Sequence, residues 1–311
     1  MPLDPYAKRF LDRLAALSPP SALSLSVGDR RVALRHLLGF SGRLDEVAQI
    51  ENLEILGPAG PLAARSYTPF AVGSDIVPGI VFFHGGGLVA GGLDSHEAIC
   101  RSLANASGCR VIAVDYRLAP EFPFPAGIAD GYEAVGYVAS HAAKFGIDPD
   151  RLVVCGDSAG ATLAAVVCQM AASNGRPQLA LQVLLCPILD FSAETDSRRS
   201  FAEGYLMDRA TLEHDLKHYL GPGDNPADPR ISPLRAEWLG SLPPTCIHTA
   251  EFDPLRDEGQ AYAERLKAAG VRTIYRCHSG MIHLFYGMSL LIPYAATAYK
   301  SIGADIRAML R

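Results

Sequence analysis

Leu152-Val153-Val154-Cys155, then Gly156-Asp157-Ser158-Ala159-Gly160, then the small and aliphatic segment Ala161 to Ala172, is the stretch whose reading decides the fold. The first run suits a buried strand and the last suits a helix packed on a sheet. A strand-to-helix reversal centred on one residue leaves no room for side chains on either flank. Gly156 and Gly160 meet that steric demand, and the Ser158 hydroxyl is thrust out at the carboxyl end of the strand. The G-x-S-x-G pattern alone is weak. Its place between strand and helix makes it a candidate nucleophile.

A second strand candidate, Ile80-Val81-Phe82-Phe83, runs into His84-Gly85-Gly86-Gly87. Three successive glycines leave backbone N–H groups unshielded by any Cβ. Such donors suit the oxyanion that forms when a hydroxyl attacks an acyl carbonyl. Gly85, Gly86 and Gly87 are therefore candidate donors, together with the N–H of Ala159, the residue after the serine. Gly86 and Gly87 are favoured, and Gly85 is retained. His84 reads as a brace for the loop, because a histidine at a strand end usually holds backbone in place.

A serine hydroxyl needs a base, and the base needs an orienter. On open sheets with such an elbow, the acid and then the histidine follow the serine in the chain. Thr245 to Ala250 reads as a strand, with Glu251-Phe252-Asp253-Pro254-Leu255 just past it. Val271 to Cys277 reads as the next strand, followed by a loop, Ser279-Gly280-Met281-Ile282-His283. Asp253 and His283 then fall on adjacent loops at the sheet edge that carries Ser158. Glu251, Asp257 and Glu258 rival Asp253, although the latter two read as the start of the next helix. His278 rivals His283 but sits near the strand itself.

Strands alternating with helices predict an α/β fold with a mostly parallel central sheet covered on both faces. Residues 1–45 read as an N-terminal cap segment, opening with a helix whose N-cap is Asp4 and whose first residue is Pro5. Phe10, Leu11, Leu14 and Leu17 form its apolar stripe. Residues 46–190 read as the first part of the core. Residues 191–240 lose the rhythm, carry one helical segment, Arg209 to Leu220, and read as a cap insertion. Residues 241–311 return to strand and helix and close the sheet. Phe10, Tyr205, Leu206 and Met207 are candidates to line the space under the cap, each weighed against plain packing.

The chain has 311 residues, 49% hydrophobic and 20% charged, with a formal net charge of −5. That balance offers no basic patch for nucleic acid and no polybasic membrane tether. Leu179 to Leu189, the longest apolar run, is interrupted by Gln182 and Pro187 and is too short to span a bilayer. Charges at Asp4, Lys8, Arg9, Asp12 and Arg13 break any signal-peptide pattern. Seven cysteines without a C-x-x-C pair suggest reduced, buried thiols rather than disulfides or zinc ligands. A cytoplasmic protein without metal, cofactor or stable membrane insertion is the expectation.

Taken with Asp115-Tyr116-Arg117-Leu118-Ala119-Pro120-Glu121, Asp228-Pro229-Arg230-Ile231-Ser232-Pro233-Leu234, Asp253 to Gly259 and Gly280-Met281-Ile282-His283, the motifs cover nearly the whole chain. In this order, the chain resembles the hormone-sensitive-lipase-like family of α/β-hydrolase carboxylesterases, in its GDSAG branch. The resemblance implies a serine esterase acting on short- to medium-chain acyl esters under a helical cap. It implies Ser158 as nucleophile, Asp253 as acid, His283 as base, and the loop glycines with Ala159 as oxyanion donors. It also allows a homodimer through the final strand and the C-terminal helix, Tyr294 to Leu310, which nothing in the residues requires. Three departures bear on substrate profile. Leu88 stands where an aromatic residue is common, which predicts an aliphatic pocket wall; Ala161-Thr162 replaces Gly-Asn after the elbow; and Leu284 replaces the glycine after the histidine. The motifs leave open an amide, formamide or lactone hydrolase on the same triad, and a non-catalytic ligand receptor on the same fold.

Overall fold

Continuous apolar runs, rather than alternating ones, predict strands buried on both faces. The structure, a computed structural model, describes residues 2–70 and 76–311. Among these, β1 (Gln49–Gly57), β2 (Gly60–Thr68), β3 (Val77–Phe83), β4 (Arg110–Val114), β5 (Ile147–Asp157), β6 (Leu181–Leu185), β7 (Thr245–Phe252) and β8 (Thr273–Ile282) form one eight-stranded sheet. Its order is β1-β2-β4-β3-β5-β6-β7-β8. β1 and β2 make an antiparallel hairpin, β2 runs antiparallel to β4, and every pairing from β4 to β8 is parallel.

Alternate residues of each central strand divide the core into two layers, as the two-residue strand period requires. Ile80, Phe82, Val153 and Cys155 face α1 (Pro5–Ala16), α2 (Val27–Leu38), α3 (Glu97–Ser107) and, from the far end of the chain, a helix at Tyr294–Met309. Val81, Phe83 and Val154 face α4 (Ala126–Ser140), α5 (Ala159–Asn174) and a helix at Arg256–Ala268. The remaining helices, in chain order, are α6 (Asp196–Ser200) and α7 (Arg209–Tyr219); the helices at Arg256–Ala268 and Tyr294–Met309 are then α8 and α9. The all-round apolar strands are thus a two-sided burial, worth about 25 cal/mol for each square ångström of apolar surface removed from water.

Local signals account for several boundaries. The Asp4 carboxylate accepts from the amides of Tyr6 and Ala7 at 2.8 and 3.1 Å, and Pro5 opens α1 where its missing N–H costs nothing. Leu17, read as part of that helix's apolar stripe, is 78% exposed, because it lies past the last helical residue. The region 191–240 contains α6 as well as the expected helix α7, and α2 carries no strong sequence signal of its own. β8 continues through Ile282, so the segment read as a loop from Ser279 is strand, with Gly280 at φ +74°. There the Gly280 carbonyl accepts from the Asp4 amide at 3.0 Å and its N–H donates to Glu251 at 2.8 Å, which docks the N-terminus on the sheet edge. No helix among the described residues is long and apolar enough to cross a membrane.

Candidate active site

Ser158 sits between β5 and α5 at φ +53° and ψ −121°, a conformation that L-residues rarely occupy. The turn is held because the neighbouring backbone is too close for anything but glycine. A Cβ on Gly156 would lie 2.1 Å from the Gly160 oxygen, and one on Gly160 would lie 2.1 Å from the Phe83 oxygen. The Ser158 N–H donates to the Leu185 carbonyl at 2.8 Å, tying the turn to β6. The hydroxyl is left at the carboxyl end of the sheet, in front of the first turn of α5.

Asp253 follows the last residue of β7, and His283 follows the last residue of β8, so parallel neighbours deliver both to one edge. His283 Nε2 lies 3.1 Å from Ser158 Oγ, and its Nδ1 lies 2.8 Å from Asp253 Oδ2. An ionised Asp253 can only accept, so Nδ1 carries the proton and Nε2 is free to accept from the serine hydroxyl. The other Asp253 oxygen accepts from the Leu255 amide at 2.9 Å, which fixes the carboxylate plane. All three side chains are buried. Chemically, the arrangement can deprotonate the serine as it attacks.

The glycine loop contributes unequally. The Gly85 amide already donates to Asp157 Oδ1 at 2.9 Å, so it has no hydrogen left for a ligand. Among the described residues, nothing accepts from the amides of Gly86, Gly87 or Ala159. Gly85 therefore departs from the donor set read in the sequence, because the carboxylate between Gly156 and Ser158 reaches back and occupies it. His84 stacks on Tyr116 with ring centroids 4.4 Å apart, and the Tyr116 hydroxyl donates to the His84 carbonyl at 2.7 Å. Burial pushes the His84 imidazole down to about 3, so it remains a neutral brace.

The rival residues are engaged elsewhere. His278 Nε2 lies 3.1 Å from His248 Nδ1, in a stacked pair beneath Tyr294 and Phe285. Burial holds His278 at about 4 and His248 well below the ordinary range. Asp257 and Glu258 lie in the first turn of α8. Asp257 accepts from the Ser197 amide at 2.7 Å. Glu258 accepts from the amides of Leu189 and Asp190 at 2.6 and 2.7 Å and pairs with Arg198 at 2.8 Å. Both acids thus fasten the segment that leaves the sheet after β6.

A cavity of about 270 Å³ opens above Ser158 and His283. Leu34 and Leu37 of α2, with Leu14, Leu206, Met207 and Leu284, contribute to its apolar wall. Of the four lining candidates, Leu206 and Met207 reach it. Phe10, on α1, packs into the core, and Tyr205 stacks on Phe252. Leu88 is buried with the α4 and α5 layer and forms no part of the wall, so the aliphatic character comes from other residues. Thr162, at the crowded start of α5, donates its hydroxyl to the Ile188 carbonyl at 2.6 Å.

One neighbour carries no motif in the sequence. Cys186 takes φ +43° just past β6, and its sulfur lies within 4.8 Å of the Asp253 and His283 ligand atoms. Burial, and then the Asp253 carboxylate, push this thiol well above its ordinary range. It stays protonated, while Asp253 and His283 already bond each other, so the trio does not suit a metal, which needs the thiolate. All seven cysteines are free thiols, six of them buried.

The comparisons with known proteins bear on the fold and the enzyme class. A family described as alpha/beta hydrolase fold matches residues 80–287. Carboxylic ester hydrolase LipN of Mycobacterium tuberculosis is 42% identical over 267 residues, covering 84% of this chain and 70% of the relative. Carboxylesterase NlhH of the same organism is 40% identical over 301 residues, covering 95% and 92%. Among solved structures, a hyperthermophilic esterase from Pyrobaculum calidifontis superposes with a TM-score of 0.93 at 35% identity, covering 99% of each chain. With a fold that matches and relatives of this kind along almost its full length, the chain belongs to the alpha/beta hydrolase fold family, as a hormone-sensitive-lipase-like carboxylic ester hydrolase.

Proposed function

We propose that the enzyme hydrolyses short- to medium-chain acyl esters in two acyl-transfer steps, with Ser158 as nucleophile, His283 as general base and acid, and Asp253 as orienter. The observation that carries this reading is the unbroken line from Ser158 Oγ through the imidazole to Asp253, at 3.1 and 2.8 Å. In the first step His283 takes the hydroxyl proton as Oγ bonds to the ester carbonyl carbon. Asp253 steadies the imidazolium, and the amides of Gly86, Gly87 and Ala159 hold the oxyanion. The carbonyl re-forms as the alcohol leaves with the proton from His283. Water then attacks the acyl carbon as His283 takes its proton, and the acyl–Oγ bond breaks as His283 returns that proton to Ser158, releasing the acid.

Residues 1–45 and 191–240 act as a cap in this scheme, because Leu14, Leu34, Leu37, Leu206 and Met207 from these two segments wall the cavity. An acyl chain buried there gains about 0.8 kcal/mol for each methylene removed from water, and the cavity of about 270 Å³ supports a limited chain length. Reduced thiols support a cytoplasmic setting.

A ladder of p-nitrophenyl esters from acetyl to palmitoyl, run beside Ser158→Ala, tests the reading. Turnover peaking at short or medium chains, and lost in the variant, is the expected result. Full activity in Ser158→Ala overturns the assignment of the nucleophile. A folded enzyme that turns over no ester redirects the search to amides and lactones.

A further inference from the structure

The oxyanion loop is gripped from the cap side by two helices that no motif joins. On α2, Leu34 stands one turn beyond Arg30. A Cβ on Gly86 would lie 2.9 Å from Leu34 Cδ2. On α7, the carboxylate of Asp215 lies flat against Gly87: a Cβ there would meet Oδ2 at 1.8 Å and Cγ at 2.3 Å, with Gly87 at φ +69°. That carboxylate occupies the space any other residue would need for its side chain. It is held by Arg30, whose Nε and Nη2 donate to Oδ1 and Oδ2 at 3.1 and 2.8 Å. His214 Nδ1 stands 3.0 Å from Oδ1, and its Nε2 lies 3.2 Å from the Leu25 carbonyl. Arg30, His214 and Asp215 are all buried, and Arg30 reaches the cavity wall.

A buried anion touching an oxyanion loop is a problem unless something cancels it. Like charges repel far more strongly in a site shielded from water than in solvent. A lone carboxylate at Gly87 would oppose the negative charge that builds on the substrate oxygen. The paired guanidinium removes that opposition, and its two-pronged grip keeps the carboxylate in one orientation. We propose that the Arg30–Asp215 pair is a positioning unit for the oxyanion loop, in which Asp215 fixes Gly87 and Arg30 cancels the charge of Asp215 where the oxyanion forms. Neither residue touches the reacting atoms. The pair also joins α2 to α7, so the loop is complete only when both cap segments are seated. The inference rests on the oxyanion role given above to Gly86, Gly87 and Ala159.

The test is a double-mutant cycle on the full chain, with kcat and KM for an acetyl ester measured near pH 8, above the ordinary histidine range. Arg30→Met leaves the anion uncancelled, and kcat should fall on the order of 100-fold with KM changed little. Asp215→Asn should lose less than Arg30→Met, since an unpaired cation does not oppose the oxyanion. Arg30→Met/Asp215→Asn together should recover at least tenfold in kcat over Arg30→Met. Affinity for a phosphonate that places an anionic oxygen in the loop should follow kcat across the set. Arg30→Lys keeps the charge and should retain most of the activity, which covers the case in which Arg30→Met does not fold. A purely structural pair would give losses that follow thermal stability, with no recovery in the double variant. That pattern, or a folded Arg30→Met with kcat within a few-fold of the parent, overturns the proposal. Should Ser158→Ala retain activity, the triad reading fails first, and the two failures are distinguishable.

Discussion

The loop from His84 to Gly87 is held by two regions that work on different principles. Beneath it, the β5–α5 turn uses covalent shape: backbone oxygens of Phe83 and Gly160 come so near that only glycine fits, and Ser158 is locked at a positive φ. Above it, the proposed cap uses long-range pairing, in which Arg30 and Asp215 meet across 185 residues of chain. The first region is rigid because nothing else can be accommodated. The second is rigid only while its partners are assembled. A rigid floor with an assembled roof lets one fold keep its chemistry while the space above the serine changes, which suits a family whose members differ in substrate.

The floor should break most severely. Ser158→Ala should lower kcat by on the order of 10⁴ to 10⁶ with the fold intact, and stopped assays with a chromogenic acetyl ester would read the loss. Asp253→Asn comes next, at about 10⁴, because an amide can hold the wrong imidazole tautomer. Restoration of activity in that variant by adding a mobile carboxylate would mean that Asp253 supplies charge more than orientation. Gly160→Ala tests shape directly: its methyl meets two backbone carbonyls that cannot swing aside. A loss of at least about 3 kcal/mol of unfolding free energy is expected. Urea titration showing a change under about 1 kcal/mol would mean that the turn relaxes, and the contrast with the cap would weaken.

The same contrast explains which features are legible in the sequence. Gly156 and Ser158 are legible because the clash that Gly156 avoids, with the Gly160 carbonyl, lies within five residues; Gly160 avoids the distant Phe83 carbonyl and is legible only through its place in the G-x-S-x-G pattern. Asp253 and His283 are legible because parallel strands deliver their ends to one edge in chain order. The occupied amide of Gly85 is not, since its acceptor on Asp157 lies 72 positions away and a carboxylate in G-x-S-x-G has no required direction. Helix α2 is hard to see because Arg30, Arg31 and Arg35 resemble a solvated face, yet Arg30 is buried against Asp215. One local signal is present: the Ser26 hydroxyl accepts from the Asp29 amide at 3.1 Å, a helix start written as Ser-x-x-Asp. Leu88 misleads for the opposite reason, since a position beside the glycines need not face the pocket.

Acid should separate the regions in a graded way. His84 at about 3, His278 at about 4 and His248 are buried neutral in the core. Their folded values lie below the ordinary ~6.5 of the unfolded chain. Unfolding therefore takes up protons once the pH drops below that value, and stability that is complete above it is lost progressively between about 6.5 and 3. A few kcal/mol should disappear over this window, read by chemical denaturation at successive pH values. His278→Gln should flatten part of the slope. An unchanged slope in that variant would place the acid sensitivity elsewhere, with the cap pairs as the next suspects.

The smallest effect should come from the roof's hold on substrate. Met207 is buried at the cavity wall, and its side chain carries no hydrogen-bonding group of the catalytic set. Met207→Ala removes apolar surface that a bound chain would otherwise cover. Each methylene of a hexanoyl ester that is left facing water costs up to about 0.8 kcal/mol, or about fourfold in kcat/KM. An acetyl chain, too short to depend on that wall, should be turned over at nearly the parent rate. The ratio of hexanoyl to acetyl kcat/KM should thus fall roughly 5- to 10-fold, a measure that cancels errors in enzyme concentration. If both esters slow equally, the cap acts on the loop and the serine rather than on chain length, and the division between rigid floor and selective roof does not hold at this residue.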